Sequence, residues 1–221
     1  MTHFTKESLK FLKQLESNNN RAWFTDNKQR YLKYIKEPFE SFIGDLIEEM
    51  APYFDGINIT AKEAIFRIYR DVRFSKDKSP YKTKISAIVS PGGRKDKTIP
   101  GIYLEITAIT MGLYSGLYQP DTKQLKNVRY HIIHNMDEFK RLINETKFVK
   151  EFGEIQGEKN KRIASEFEAD AELQPLLYNK QFYYFTTWPA ESILEYNIIQ
   201  KISKTFSIAK PLSEFLYEGT F

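Results

Sequence analysis

The residues best equipped for chemistry crowd into one segment, residues 67–84, RIYRDVRFSKDKSPYKTK. It holds Arg67, Arg70, Arg73, Lys76, Lys78, Lys82 and Lys84 against Asp71 and Asp77. That is a local charge of +5 in a chain whose net charge is +4, so the remainder sums to −1. Arginine presents a planar fork of donors that matches carboxylate or phosphate, and lysine adds a compact charge. Asp71 and Asp77 are the candidate acid–base groups, or else the partners that orient those forks. Ser75, Lys78, Tyr81 and Lys82 complete a candidate anion-binding set with Arg67, Arg70 and Arg73.

The alternation of side chains sharpens one position. Phe66, Ile68, Val72 and Phe74 occupy the even positions of residues 64–74, and Arg67, Tyr69, Asp71 and Arg73 the odd ones. This period of two predicts a half-buried strand, and it places Arg70 on the core side. A buried guanidinium requires a carboxylate or a bound anion, unless a bulge re-aims it. Residues 75–80, SKDKSP, are too polar for a strand and predict a loop leaving a sheet edge.

Three uses of this segment compete. An anion pocket for a small phosphate or carboxylate ligand requires Arg70 and Arg73 to point to one locus. A nucleic-acid interface, with Tyr69, Phe74 and Tyr81 stacking bases, requires the cations on one open face. An interaction or scaffold protein requires each arginine to be met by a protein carboxylate, as is usual for charge runs on solvated surfaces.

A second contributor is the stretch after Asn20, where Asn27 and Tyr31 lie four apart and share a helix face. Both are candidate ligand-binding residues beside the arginine block; ordinary capping and Trp23 packing are the competing explanation. His131 and His134 stand three apart on a predicted helix with no fixed third ligand, so no metal site is expected. No Walker loop, G-x-G-x-x-G or G-x-S-x-G occurs, and no cofactor is expected. Gly92-Gly93 with Arg94, Lys95 and Lys97 reads as a basic hairpin tip.

The elements that must position these residues are legible in coarse form. Residues 6–16 predict a helix with Leu9, Leu12 and Leu15 inward; Asn20 predicts an N-cap for a helix over 21–35. Pro38 suits the first turn of a third helix, in which Phe39, Phe42, Ile43, Leu46, Ile47 and Met50 follow the helical repeat. Residues 85–89, 102–109 and 113–118 predict strands, with Gly112 as a break. Residues 121–135 and 137–146 predict helices, residues 181–187 a strand, and the stretch after Pro189 helix broken at Pro211. The expected architecture is α+β in a single domain, with a mainly antiparallel sheet packed against N-terminal and C-terminal helices. The expected order is helices in 5–51, a sheet region in 64–120, helices in 121–180, a strand at 181–187 and helices in 190–218.

The chain of 221 residues has 17 Phe and 14 Tyr, enough to predict a largely aromatic core. It has no cysteine, which excludes disulfides and thiolate chemistry. No apolar run approaches a membrane span and the first residues lack a signal-peptide pattern, so a cytoplasmic protein without a membrane partner is expected.

Residues 18–43, NNNRAWFTDNKQRYLKYIKEPFESFI, and residues 67–85 resemble the two signature blocks of DUF2461, an uncharacterised family of bacterial and fungal proteins. Pro100-Gly101-Ile102-Tyr103 resembles its PGxY strand, residues 112–120 its GxYxP segment, and residues 125–132 its LxxIRxxI helix. The resemblance implies that Asn19, Trp23, Phe24, Asn27, Lys28 and Tyr31 belong to one pattern with Arg67, Arg70, Asp71, Arg73, Ser75, Asp77, Lys78, Tyr81 and Lys82. It implies no activity. The chain departs from the family pattern at residues 161–169, where a Pro/Gly-rich stretch is expected.

Overall fold

The structure, a computed structural model, describes residues 2–54, 56–95 and 99–221. Helix α1 (Lys6–Ser17) buries Phe11, Leu12 and Leu15. Asn20 then caps α2 (Arg21–Asp26) by accepting a hydrogen bond from the Trp23 amide at 2.9 Å. The expected helix over 21–35 is interrupted at Asn27, after which α3 (Lys28–Tyr31) passes through a π turn (Leu32–Lys36) into α4 (Glu37–Met50). The Glu37 amide reaches back to the Leu32 carbonyl, five residues away. Pro38 has no N–H and its ring crowds the carbonyl four residues earlier, so a widened turn just before it relieves the ladder. Helix α4 buries the six apolar residues its repeat predicts, and a short α5 (Ala61–Ala64) follows.

The sheet is an antiparallel meander in the order β1 (Ile85–Val89), β2 (Ile102–Ile106), β3 (Thr110–Leu117) and β4 (Phe182–Pro189). Gly112 lies inside β3 rather than breaking it. Alternation decides the two faces. Ala87, Leu104 and Leu113 point into the core, while Ile88, Tyr103 and Tyr114 point away from it. Between β3 and β4 the chain forms α6 (Thr122–His134), α7 (Met136–Ile143), α8 (Thr146–Phe152), α9 (Glu168–Leu173) and short 3₁₀ turns. Asp121 caps α6 through a capping box with Gln124. The basic turn expected at 91–97 is described only to Lys95; Asp96 and Lys97 lie outside the described residues.

Helix α10 (Ile198–Glu218) closes the core over β3 and runs unbroken through Pro211. The sequence predicts a break there, and proline inside a helix costs about 3 kcal/mol. Pro211 itself is exposed, and the opposite face buries Ile202, Phe206, Leu212, Phe215 and Leu216, which offsets the lost backbone bond. No described helix is long and apolar enough to cross a membrane.

A buried hydroxyl network fastens α10 to the sheet. The Tyr184 hydroxyl donates to the Ala209 carbonyl at 3.0 Å and lies 2.7 Å from Ser213 Oγ. Ser213 in turn lies 3.0 Å from Ser115 Oγ, which donates to the Gly101 carbonyl. Tyr184→Phe removes one member, with its bond to the Ala209 carbonyl and its contact to the Ser213 hydroxyl. It is expected to lower stability by about 1–2 kcal/mol. A urea titration should show a lower midpoint at unchanged slope; an unchanged midpoint would show that the network contributes nothing net.

Candidate functional site

Residues 67–84 do not continue as a strand. Ile65 bridges Ala87 and the Phe66 amide donates to the Ser86 carbonyl, and there the chain leaves the sheet edge. It folds back on itself instead. The Arg70 amide donates to the Pro80 carbonyl and the Lys82 amide to the Ile68 carbonyl, at 2.9 and 2.8 Å. Residues 71–79 are the loop at the end of this short two-stranded stem. Alternation survives only near the stem: Ile68 is buried, whereas Phe74, expected inward, is 96% exposed. The strand reading of 64–74 is therefore corrected, because pairing partners exist only for its first residues and for the stem.

Local ion pairs hold the loop. Arg70 pairs with Asp77 and hydrogen-bonds Ser75, and Arg73 grips Asp71 through Nε and a terminal nitrogen at 3.0 and 2.7 Å. Lys78 donates to the Val72 carbonyl. Arg70 is half-exposed, so the buried guanidinium that parity requires at this position does not occur. Hydrogen bonds from the Arg73 side chain and backbone hold the Asp71 carboxyl down at about 2. Hydrogen bonds from Ser79 first, and then Arg70, hold Asp77 well below the usual carboxylate range. Carboxylates held this low bind protons weakly and make poor bases.

The stem is tied to the N-terminal helices by two contacts. The Asn19 side chain donates to the Tyr81 carbonyl at 2.8 Å and accepts from the Tyr81 amide at 3.1 Å, acting as one rung of a strand. The Tyr81 ring is buried and lies flat on Phe24, with centroids 3.9 Å apart and planes 14° from parallel. Asn27 serves its own helical segment instead, donating to the Trp23 carbonyl and accepting from Arg30.

Where the stem meets α3, the π turn and α4, a cleft of about 870 Å³ opens. Its wall carries Lys28, Lys36, Lys62, Arg67, Lys82, Arg94 and Lys95, against one carboxylate among the described residues, Glu40. Arg94 is occupied by the Lys62 and Ile65 carbonyls, and Lys36 lies 3.8 Å from Glu40. Lys28, Lys62, Arg67, Lys82 and Lys95 make no side-chain ion pair among the described residues. Tyr31, Phe24, Phe66 and Tyr69 supply the apolar wall, and burial, then Tyr69 and Glu40, push the Tyr31 hydroxyl up to about 12. Lys82 is half-buried with its Nζ 5.3 Å from the Phe66 ring centre; burial first, then Lys84 and Arg67, lower its pKa.

Of the residues singled out in the sequence, the structure brings Arg67, Lys82 and Tyr31 to this cleft. Arg70, Arg73, Ser75, Lys78, Asp71 and Asp77 belong to the loop; Tyr81 and Asn27 hold the scaffold behind it. Lys95 belongs to the basic hairpin tip read from the sequence, whereas Lys62 carries no signal in the sequence pattern. Lys28 and Lys36 do, standing eight apart on the face shared with Leu32. His131 packs on Phe215 and His134 bonds its own helix at the Tyr130 carbonyl, so neither faces the cleft.

Fold and site together define an α+β protein with a basic cleft at the sheet edge, built by two sequence blocks that touch. The family model described as "Conserved hypothetical protein (DUF2461)" matches residues 7–215, and the chain belongs to that family. No curated protein and no solved structure matches it.

Proposed function

We propose that the basic cleft binds a small anionic ligand through a phosphate or carboxylate group held by Lys82 and Arg67. One observation carries this reading. Lys82 is a half-buried cation with two cationic neighbours and no carboxylate partner among the described residues, an arrangement that a bound anion relieves. Tyr31 offers a hydroxyl donor at the same wall. The nucleic-acid alternative is less favoured, because Arg70 and Arg73 are tied into the loop rather than spread along an open face. The scaffold alternative accounts for those two arginines but not for Arg67 and Lys82.

Calorimetric titration of inorganic phosphate into the protein at low ionic strength tests the proposal. Charge-assisted hydrogen bonds contribute about 1.5–3 kcal/mol each, so Lys82→Gln and Arg67→Ala should each weaken binding about tenfold or more. Arg73→Ala should leave it unchanged. Affinity should also fall as pH rises through the pKa of Lys82, earlier than for an ordinary lysine, because the cation is the binding form and its pKa is lowered. Equal binding by all three variants defeats the assignment.

A further inference from the structure

The face of the sheet turned away from the core carries a second cleft, of about 520 Å³, with Tyr103, Tyr114, Tyr118 and Tyr183 in its wall. Rings cross this face as a row. Phe66 and Tyr103 are 6.1 Å apart, Tyr103 and Tyr114 5.6 Å, and Tyr114 and Phe185 5.0 Å. Gly116 lies among them and contributes no side chain to the wall. Its φ is +105°, and a Cβ there would sit 2.3 Å from the Phe182 carbonyl oxygen, so only glycine fits at this point of the floor. Half-exposed rings around a side-chain-free floor suit a planar ring of the ligand.

Beside Lys82 and Lys84, one carboxylate among the described residues lines this surface. Glu105 Oε2 accepts from Lys84 Nζ at 2.5 Å and from the Tyr103 hydroxyl at 2.7 Å. The carboxylate is 18% exposed and lines the cleft, and Oε1 has no hydrogen bond among the described residues. A carboxylate oriented by two donors, with one oxygen unused, accepts from an N–H of whatever lies on the rings. The two clefts are adjacent: Phe66 and Lys82 belong to the walls of both.

We infer that the two clefts form one site for a nucleoside phosphate. Its phosphate meets Lys82 and Arg67, and its base lies on the aromatic sheet face with a ring or exocyclic N–H donated to Glu105. This inference rests on the anion reading and adds the identity of the rest of the ligand. A base supplies both the planar ring and the N–H, and its phosphate supplies the charge that Lys82 lacks.

The test is calorimetric titration of the 5′-monophosphates of adenosine, guanosine, cytidine and uridine, of the four nucleosides, and of inorganic phosphate. At least one nucleotide should bind tenfold or more tightly than both its nucleoside and phosphate. Glu105→Gln and Tyr114→Leu should bring that nucleotide down toward phosphate while phosphate binding stays constant, and Lys82→Gln should weaken both. In the unmodified protein the base protons of that nucleotide should shift upfield on binding, a readout that needs no variant. Phosphate binding without any nucleotide preference overturns the inference and leaves the anion site standing. Absence of both phosphate and nucleotide binding overturns both. A ten-nucleotide single strand binding a hundredfold tighter than every mononucleotide overturns it in favour of a nucleic-acid interface.

Discussion

Asn19→Asp should destabilise the protein by about 2–3 kcal/mol and weaken phosphate binding, although residue 19 does not line the basic cleft. An asparagine amide has one acceptor and one donor end, and here they meet the amide and the carbonyl of Tyr81. The substitution is nearly isosteric. It keeps the acceptor but turns the donor into a second oxygen, 2.8 Å from a carbonyl oxygen that then has no partner. A buried polar group without a partner costs about 1–3 kcal/mol, and repulsion adds to it. The damage should travel, because Tyr81 is part of the stem that positions Lys82, through the Tyr69–Tyr81 pairing and the Lys82–Ile68 bond. Hydrogen exchange at the Ile68, Arg70 and Lys82 amides should accelerate more than exchange in β2 and β3. The pH dependence has a definite sign. A protonated carboxyl can donate to the Tyr81 carbonyl, so the folded state raises the pKa of the introduced group. A group with a raised folded pKa contributes stability below its unfolded pKa and loses it as pH rises through the folded one. The deficit should therefore be smaller at pH 4 than at pH 8. A deficit independent of pH, or exchange altered uniformly across the sheet, would contradict the pairing.

How much of this was legible in the sequence follows from which signals are local. Helix α4 was readable because six apolar residues repeat at helical spacing and all six are buried. Asn20 was readable because a cap is a contact within three residues. The 64–74 segment misled because alternation records which side chains alternate, not whether a partner strand is present to accept the backbone bonds. Arg70 looked buried on that parity, yet Asp77, seven residues on, meets it at the surface. The charge excess of 67–84 did point to the basic cleft, but through Arg67 and Lys82 at its ends rather than the arginines at its centre. Lys62 and Lys95 join the cleft only because α5 and the turn before β2 fold beside it, a tertiary fact with no sequence period. Glu105 had a faint signal, a lone acidic residue in the strand IYLEI on the side opposite Ile102, Leu104 and Ile106. Its importance depends on Lys84 and Tyr103, and only the sheet register brings Lys84 near.

Arg129→Ala should be the most damaging single polar substitution, lowering stability by about 3–5 kcal/mol. Arg129 is the guanidinium that is actually buried, 9% exposed on α6, and no carboxylate faces it among the described residues. Its Nε donates to the Leu177 carbonyl at 2.9 Å and a terminal nitrogen to the Asn179 carbonyl at 3.3 Å, while the plane lies 5.8 Å from the Phe167 ring centre. Burial lowers its pKa, but an arginine remains charged throughout the useful pH range. The two carbonyls belong to the irregular stretch that leads into β4, where short 3₁₀ turns leave backbone acceptors with no regular ladder. Alanine leaves both acceptors dry and opens a cavity against Phe167, and the two costs add. Arg129→Met separates them. It restores most of the volume and removes a desolvated charge, yet supplies no donor, so it should recover part of the loss and no more. In both variants hydrogen exchange should quicken first at the Leu177 and Asn179 amides and in the first residues of β4. Because β4 is the edge strand, paired along its length with β3 and on its other side bridged at Tyr183 to Gln156, release of this segment loosens one edge of the sheet, and the unfolding slope in urea should fall if that edge frays before the rest. An alanine variant within about 1 kcal/mol of the native protein would mean that water replaces the guanidinium at both carbonyls, and that the stretch is held by Leu177 and Phe167 packing alone.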